Sequence, residues 1–279
     1  MKSDGAHDAI AHDLAGKGHW DAVWNGPNIP AAADPLRSGL GNLYTRRMDA
    51  FFKRALGDAE AKDKSILELG CGGSIWLPYF RRNFEMTVAG IDYSASGCEQ
   101  AKRILERSRE TATIVCEDFF NPPSHMLGSF DFVYSGGVVE HFRPTARCVR
   151  AFAAYLKPGG KMITMIPNMT GLIGLLQRAI NRPVFDLHVP LTVHGLKAAH
   201  EEAGLQIIDS GYFLSTGFGI MNTEGMDSSK RSVEMVDLLI KILGRISALT
   251  WLVEDWWRPL PNSRMLSPHV FCISRSSCK

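Results

Sequence analysis

The chain reads as an α/β protein: a doubly wound, mostly parallel sheet of seven strands with an antiparallel edge strand and a helical cap. Three observations lead there. Ser65-Ile66-Leu67-Glu68-Leu69 is an apolar run that breaks into Gly70-Cys71-Gly72-Gly73, the pattern of a buried strand entering a tight turn. From Ser65 to Ile166, runs of strand length alternate with segments of helical spacing, which means βαβ units with right-handed crossovers. Acidic residues stand at the ends of successive strands, at Asp92 and Asp118, the side on which open α/β sheets take ligands.

The elements follow in order. Met1 to Gly18 is rich in Gly, His and Asp and is expected to be mobile at its start. Trp20 and Trp24, four apart, share one helical face. They either pack on the domain or form a flap over a ligand. Asn25 to Pro35 is a loop punctuated by Pro and Gly. Leu40 to Leu56 is helical, with Leu43, Met48, Phe51, Phe52 and Leu56 on its apolar side. Gly57 to Lys64 closes this N-terminal arm, so residues 1–64 form an arm and 65–279 the main domain.

Strands are predicted at Ser65–Leu69, Met86–Ile91, Thr111–Cys116, Phe130–Tyr134 and Lys161–Ile166. Helices lie between them, near Ile75–Asn83, Ser96–Arg109 and Thr145–Leu156. Lys157-Pro158-Gly159-Gly160 is a sharp turn. Beyond Pro167 come helices at Asn168–Ile180 and Val193–Ala203. Leu205–Phe213 and His269–Ser274 then form the antiparallel edge. Residues 214–267 are a long insertion. Within it, Ser232–Trp251 carries Val233, Val236, Leu239, Ile240, Leu243, Ile246 and Leu249 at helical spacing. That helix packs on the core, acts as a lid, forms a dimer face or meets a membrane surface.

Charge and cysteine content exclude several classes. The formal net charge is +2 over 279 residues, with no long basic run, so nucleic acid is not an expected partner. The six cysteines contain no C-x-x-C pair, which fits reduced thiols in a cytoplasmic protein better than a zinc cluster or disulfide framework. The N-terminus has no secretory apolar segment, and no stretch reaches about 18 uninterrupted apolar residues.

The glycine turn alone announces a nucleotide-like ligand. Gly70 and Gly72 fill two places of a dinucleotide fingerprint, but Ile75 stands where its third glycine belongs. No phosphate-cradling G-x-x-x-x-G-K-[ST] is present. A carboxylate at Asp92 can accept from both ribose hydroxyls. One at Asp118 can accept from an adenine amine, with Phe119 covering the ring; either carboxylate taken alone could instead cap a helix or sit in a solvated loop.

In this combination the chain resembles the class I S-adenosylmethionine-dependent methyltransferases of the small-molecule type, which have a Rossmann-like fold. Glu68-Leu69-Gly70-Cys71-Gly72 is similar to the family's E-x-G-x-G motif, Asp92 to its second-strand acid, and Glu117-Asp118-Phe119 to its adenine motif. Phe130 to Ser135 matches the fourth-strand motif and Leu156 to Gly160 the turn before strand five. The resemblance implies S-adenosylmethionine as cofactor. Gly70, Cys71 and Gly72 would hold its methionine portion, Asp92 its ribose, and Asp118 with Phe119 its adenine, flanked by Tyr93; Glu68 and Ser135 would also belong to the cofactor site. Tyr44 and Arg47, on one face of the arm helix, would close over it, the arginine pairing with the methionine carboxylate.

Methyl transfer needs position more than machinery, because the sulfonium already activates the methyl carbon. Glu140 and His141, after the fourth strand, are the candidate catalytic residues, His141 as a base. Alternatively they shape the loop by hydrogen bonding. Trp20, Trp24, His188 and His194 are candidates for the acceptor pocket, the two histidines otherwise being exposed in a loop. Some relatives of this fold bind a divalent ion through E-x-x-E-H and a later histidine. Gly137 replaces the first glutamate here, so no metal is expected. The expected function is methylation of a small molecule, on oxygen first and nitrogen next. The competing readings are a membrane-associated lipid or quinone methyltransferase and a non-catalytic S-adenosylmethionine-binding protein. A monomer or homodimer is expected.

Overall fold

A computed structural model describes residues 11–277. The opening Met1–Ile10 and the final pair Cys278–Lys279 lie outside the described residues, and with them the expected mobile start. The helices are α1 (Lys17–Trp24), α2 (Leu43–Leu56), α3 (Asp58–Ala61), α4 (Leu77–Phe84), α5 (Ala95–Ser108), α6 (Thr145–Ala153), α7 (Leu172–Ile180), α8 (Arg182–Asp186), α9 (Val193–Glu202) and α10 (Arg231–Trp256). The strands are β1 (His12–Asp13), β2 (Ser65–Leu69), β3 (Thr87–Asp92), β4 (Thr113–Cys116), β5 (Phe130–Gly136), β6 (Phe142–Arg143), β7 (Leu156–Pro167), β8 (Gln206–Phe213) and β9 (His269–Arg275).

Seven strands form one sheet in the order β4-β3-β2-β5-β7-β9-β8. The first five of that order run parallel, and β9 runs antiparallel to both β7 and β8. The antiparallel strand therefore lies one place in from the edge. Neighbouring residues of a strand face opposite layers. Ile66 packs with Phe51 and Phe52 of α2 and Phe80 of α4, while Leu67 packs with Val149 and Phe152 of α6 and Leu196 of α9. Both faces of β2 and β3 are thus covered, which is why they read as continuous apolar runs. The arm helix α2 belongs to this core: Met48, Phe52 and Leu56 are fully buried.

Three expectations differ from the structure. The turn at Lys157–Gly160 is taken up into β7, which starts at Leu156 and keeps Gly159 at φ 75. The two-residue ladder β1–β6, pairing His12 with Arg143, is too short to leave a periodic signal. The long helix α10 does not turn its whole apolar stripe inward. Val233, Ile240, Ser247, Trp251 and Glu254 are buried, whereas Leu239, Ile246 and Leu249 are half exposed, at 50%, 49% and 49%. A helix with apolar residues nearly all round presents spacing that cannot say which side meets the core.

Candidate functional site

The site begins where β2 ends. Gly70 takes φ 76, open to glycine at little cost, and a Cβ there would collide with Val138. The N–H groups of Gly70 and Cys71 both donate to the Ile91 carbonyl, at 2.9 and 3.2 Å. Gly72 N–H donates to Asp92 Oδ2 at 2.7 Å, and Ser94 N–H to Asp92 Oδ1 at 2.7 Å. The turn after one strand is thereby pinned to the carboxylate ending the next. Each carboxylate oxygen keeps a second lone pair for a ligand hydroxyl.

A cavity of about 420 Å³ opens beyond these strand ends. Glu68, Gly70, Gly72, Asp92, Tyr93 and Phe119 line it. Glu68 is buried and accepts from Ser74 Oγ at 2.7 Å; burial pushes its carboxyl up to about 8, with the Asp92 charge adding to the rise. Burial also raises Asp92, against the pull of its two backbone donors.

Helix α1 roofs this cavity. Trp20 and Trp24 both line it and stack with ring centroids 6.4 Å apart. Trp20 also sets its edge against His141, 5.1 Å between centroids. Two carboxylates fasten the roof: Asp13 accepts from Tyr93 Oη at 2.6 Å and Asp21 from Ser94 Oγ at 2.7 Å. The Ser94 bond holds the Asp21 carboxyl below its usual range. The Asp13 charge adds to burial in raising Tyr93, so the phenol keeps its proton.

Several expected residues stand elsewhere. Arg47 reaches helix α10: it donates to Trp251 O at 2.8 Å and pairs with Glu254 at 3.4 Å and Asp255 at 2.7 Å. It lines no part of the cavity, because those carboxylates have claimed its charge. Cys71 turns its sulfur against Gly90 and is buried off the cavity. Ser135 is buried, its hydroxyl without a partner among the described residues, and is also off the cavity. Asp118 folds back on Phe120 N–H at 2.9 Å and is not a lining residue, although Phe119 is. His194 is exposed in the first turn of α9 and lines no cavity. Tyr44 does line the cavity.

Glu140, His141 and His188 form a separate cluster behind the cavity wall. One ligand atom from each lies within 4.8 Å of those of the other two. Only His141 also lines the cavity. His141 Nδ1 lies 2.8 Å from Leu187 O and His188 Nδ1 2.7 Å from Val184 O. Burial lowers His141 to about 3, helped by His188, and lowers His188 too. Burial raises Glu140 to about 8.

A second cavity, of about 730 Å³, lies under α10 and shares two wall residues with the first, Tyr44 and His269. Tyr44 Oη stands 3.2 Å from His269 Nε2 at that junction. Sequence reasoning missed His269, Ser74, Tyr134 and Met165, all of which line the first cavity. Ser74 had a local signal, its place just past the glycine turn. The others arrive from strands whose pairing no motif announces.

Fold and site together define a Rossmann-like protein with an open cavity at its glycine turn. Residues 41–210, more than half of the chain, match the profile of the methyltransferase domain, and the chain belongs to that family, within the class I S-adenosylmethionine-dependent methyltransferases. It is 29% identical over 101 residues to a ubiquinone biosynthesis O-methyltransferase of Coxiella burnetii, covering 36% of this chain and 42% of that protein. It is 26% identical over 129 residues to the EEF1A lysine methyltransferase 2 of Mus musculus, covering 45% and 52%. The matches thus span about half or less of these relatives. Among solved structures, one assigned as a sarcosine dimethylglycine methyltransferase of Galdieria sulphuraria superposes with a TM-score of 0.59 at 16% identity, covering 93% of this chain and 96% of that one. The geranyl diphosphate C-methyltransferase of Streptomyces coelicolor A3(2), solved with Mg2+, geranyl diphosphate and S-adenosyl-L-homocysteine, gives 0.58 at 12%, covering 93% and 97%.

Proposed function

We propose that the protein transfers the methyl group of S-adenosylmethionine to a small-molecule acceptor with an apolar body, oxygen being the favoured accepting atom. The observation that carries this is the Asp92 carboxylate held at the glycine turn, in a cavity that shares the wall residues Tyr44 and His269 with a second, mostly apolar one. Gly72 and Asp92 would seat the donor, with Phe119 and Tyr93 beside its adenine. The acceptor oxygen's electron pair forms the new bond to the methyl carbon as the carbon–sulfur bond breaks. The sulfonium leaves as a neutral thioether, and the acceptor proton passes to solvent or a base. A base works best with a pKa near the working pH. Burial holds His141 far below that, which favours catalysis by placement over proton abstraction by this ring.

Isothermal titration with S-adenosylhomocysteine and with NAD separates this reading from a dehydrogenase. Turnover of labelled S-adenosylmethionine against a panel of phenols, amines and carboxylic acids separates it from a non-catalytic binder. Binding of S-adenosylhomocysteine undiminished by Asp92→Ala would place the pocket elsewhere.

A second reading has its own observation. Met235, Leu238, Leu239, Ile242, Leu252 and Trp256 of α10 are all exposed, and Arg258 stacks on Trp257 at 5.3 Å just beyond the helix. Among the described residues no helix is long and apolar enough to cross a membrane, but this face suits an interface with lipid. It would let a lipid or quinone acceptor reach the second cavity, which Lys241, Arg245 and Leu249 of the same helix line. Co-sedimentation with anionic vesicles tests it: Leu239→Gln/Ile246→Gln/Trp256→Ala should abolish binding. Equal sedimentation of this variant and the parent would sink the membrane reading.

A further inference from the structure

We infer that Glu140, His141 and His188 form a binding site for one divalent transition-metal cation of the zinc or iron(II) kind. The site does not depend on which acceptor the protein methylates.

The first support is convergence. The three side chains come from the 3₁₀ turn Val139–His141 and from the loop after α8. They nevertheless bring one ligand atom each within 4.8 Å of one another. His141 Nε2 lies 3.9 Å from Glu140 Oε1, beyond hydrogen-bond length. The rings of His141 and His188 stand 4.6 Å apart at 53°. Sequence spacing alone left this set incomplete, because Gly137 offers no ligand. The structure does not replace that ligand; it shows that the other three donors converge, the later histidine coming from a loop 47 residues after His141.

The second support is independent of the cluster's shape. Glu140 is 1% exposed, and among the described residues neither carboxylate oxygen has a hydrogen-bond partner. Buried carboxylates are nearly always paired, bonded or bound to a metal. Among the described residues this one faces two imidazoles and no cationic side chain.

The third support is the state of the histidines. A carbonyl oxygen can only accept. Each Nδ1 that contacts one, His141 on Leu187 O and His188 on Val184 O, therefore carries the ring proton. That leaves Nε2 of both rings with a bare lone pair. Ligating histidines are oriented in just this way, by a carbonyl or carboxylate on the other nitrogen.

The donor set narrows the cation. Two imidazoles and one carboxylate suit zinc, iron(II), cobalt(II) and their neighbours, whereas magnesium and calcium favour oxygen throughout. Three protein ligands leave positions open for water or substrate. Two ligands on one such ion stand no more than about 4.2 Å apart. The donors, within 4.8 Å of one another, therefore close in further wherever a pair exceeds that limit. Because His141 also lines the first cavity, the cation would stand in its wall.

The test uses the full chain, stripped with a chelator and dialysed. Cobalt(II) titrated by visible absorption and zinc(II) by calorimetry should each bind at one equivalent. Zinc should displace cobalt, and millimolar magnesium should not. Glu140→Gln and His188→Gln should each weaken zinc at least tenfold, with circular dichroism unchanged, while His125→Gln, at an exposed position, should leave it as it was. Less than one equivalent of zinc on the parent chain would overturn the site. So would affinity that survives both cluster substitutions. If those variants fail to fold, the ring-proton NMR signals of His141 and His188 in the parent decide: broadening by one equivalent of cobalt(II) supports the site, and unmoved signals overturn it.

Discussion

The indole of Trp24 rests on Gly72: a Cβ at that glycine would stand 2.6 Å from the indole Nε1 and 2.9 Å from Asp92 Oδ2. Real side chains do not tolerate either approach. Gly72→Ala must therefore displace the roof or the carboxylate that the Gly72 N–H holds at 2.7 Å. Its affinity for S-adenosylhomocysteine, measured by calorimetry, is expected to fall at least tenfold. Gly26→Ala is the control, since a Cβ there meets nothing within 4 Å. Unchanged affinity in Gly72→Ala would mean that the turn does not cradle the donor.

Arg47 ties the arm to the inserted helix, so its loss should read as stability and not as binding. Arg47→Ala leaves Glu254, whose side chain is 6% exposed, with only the Ser215 hydroxyl for a partner among the described residues, and frees the Trp251 carbonyl. Loss of a charged partner at a buried acceptor costs about 1–3 kcal/mol. Denaturant unfolding should show a drop of that order, with the dissociation constant for S-adenosylhomocysteine unchanged. A weakened dissociation constant with normal stability would restore the carboxylate-binding role that its place on the arm helix first indicated.

Arg47 also marks the limit of what sequence can reveal. Glu68, Gly70, Gly72 and Asp92 were legible because one strand, one turn and the adjacent parallel strand set their geometry within 25 residues. The partners of Arg47 lie 204 and 207 residues away, and no local pattern chooses them over a ligand. Tyr44 and His269 meet across 225 residues. His188 joins His141 only because the loop after α8 returns to the end of β5, and Glu140 turns toward them and away from the cavity. Asp118 had the right spacing, but an aspartate just past a strand can also fold back on its own backbone, as its bond to Phe120 N–H does. The path of the chain through βαβ units followed from periodicity. The direction of long side chains in the arms did not.

A buried neutral histidine makes stability depend on pH. His200 is fully buried between Thr164 Oγ1 at 2.9 Å and Ser274 Oγ at 2.8 Å. Burial lowers it to about 3. In the unfolded chain its pKa is the ordinary value of about 6.5. Below that pH the unfolded state binds a proton that the folded state refuses, so stability falls as pH falls from about 6.5 toward 3. The slope this residue adds is at most about 1.4 kcal/mol per pH unit. His269, lowered to about 4 by burial, acts in the same direction. Urea unfolding at pH 7.5, 6.0 and 5.0 should show the decline, and His200→Gln should flatten it by close to one proton. An equal slope in the parent and in His200→Gln would show that His200 does not carry it.

The junction of the two cavities is a single neutral hydrogen bond. Tyr44 Oη and His269 Nε2 make it, at 3.2 Å. Burial keeps the phenol protonated and the imidazole neutral. A bond of this kind contributes about 0.5–1.5 kcal/mol net, small enough for an acceptor to break when its apolar tail passes from the first cavity into the second. Tyr44→Phe removes the bond and keeps the ring. It should lower KM for long-tailed acceptors about two- to tenfold and leave short ones unchanged. Ala248→Phe, which fills space in the second cavity, should raise KM for long acceptors alone. The readout is the ratio of the two KM values across a homologous series of acceptors, so a general loss of stability or donor binding would not mimic it. If both substitutions shift short and long acceptors by the same factor, the second cavity takes no part of the acceptor. The apolar surface of α10 would then need some other partner.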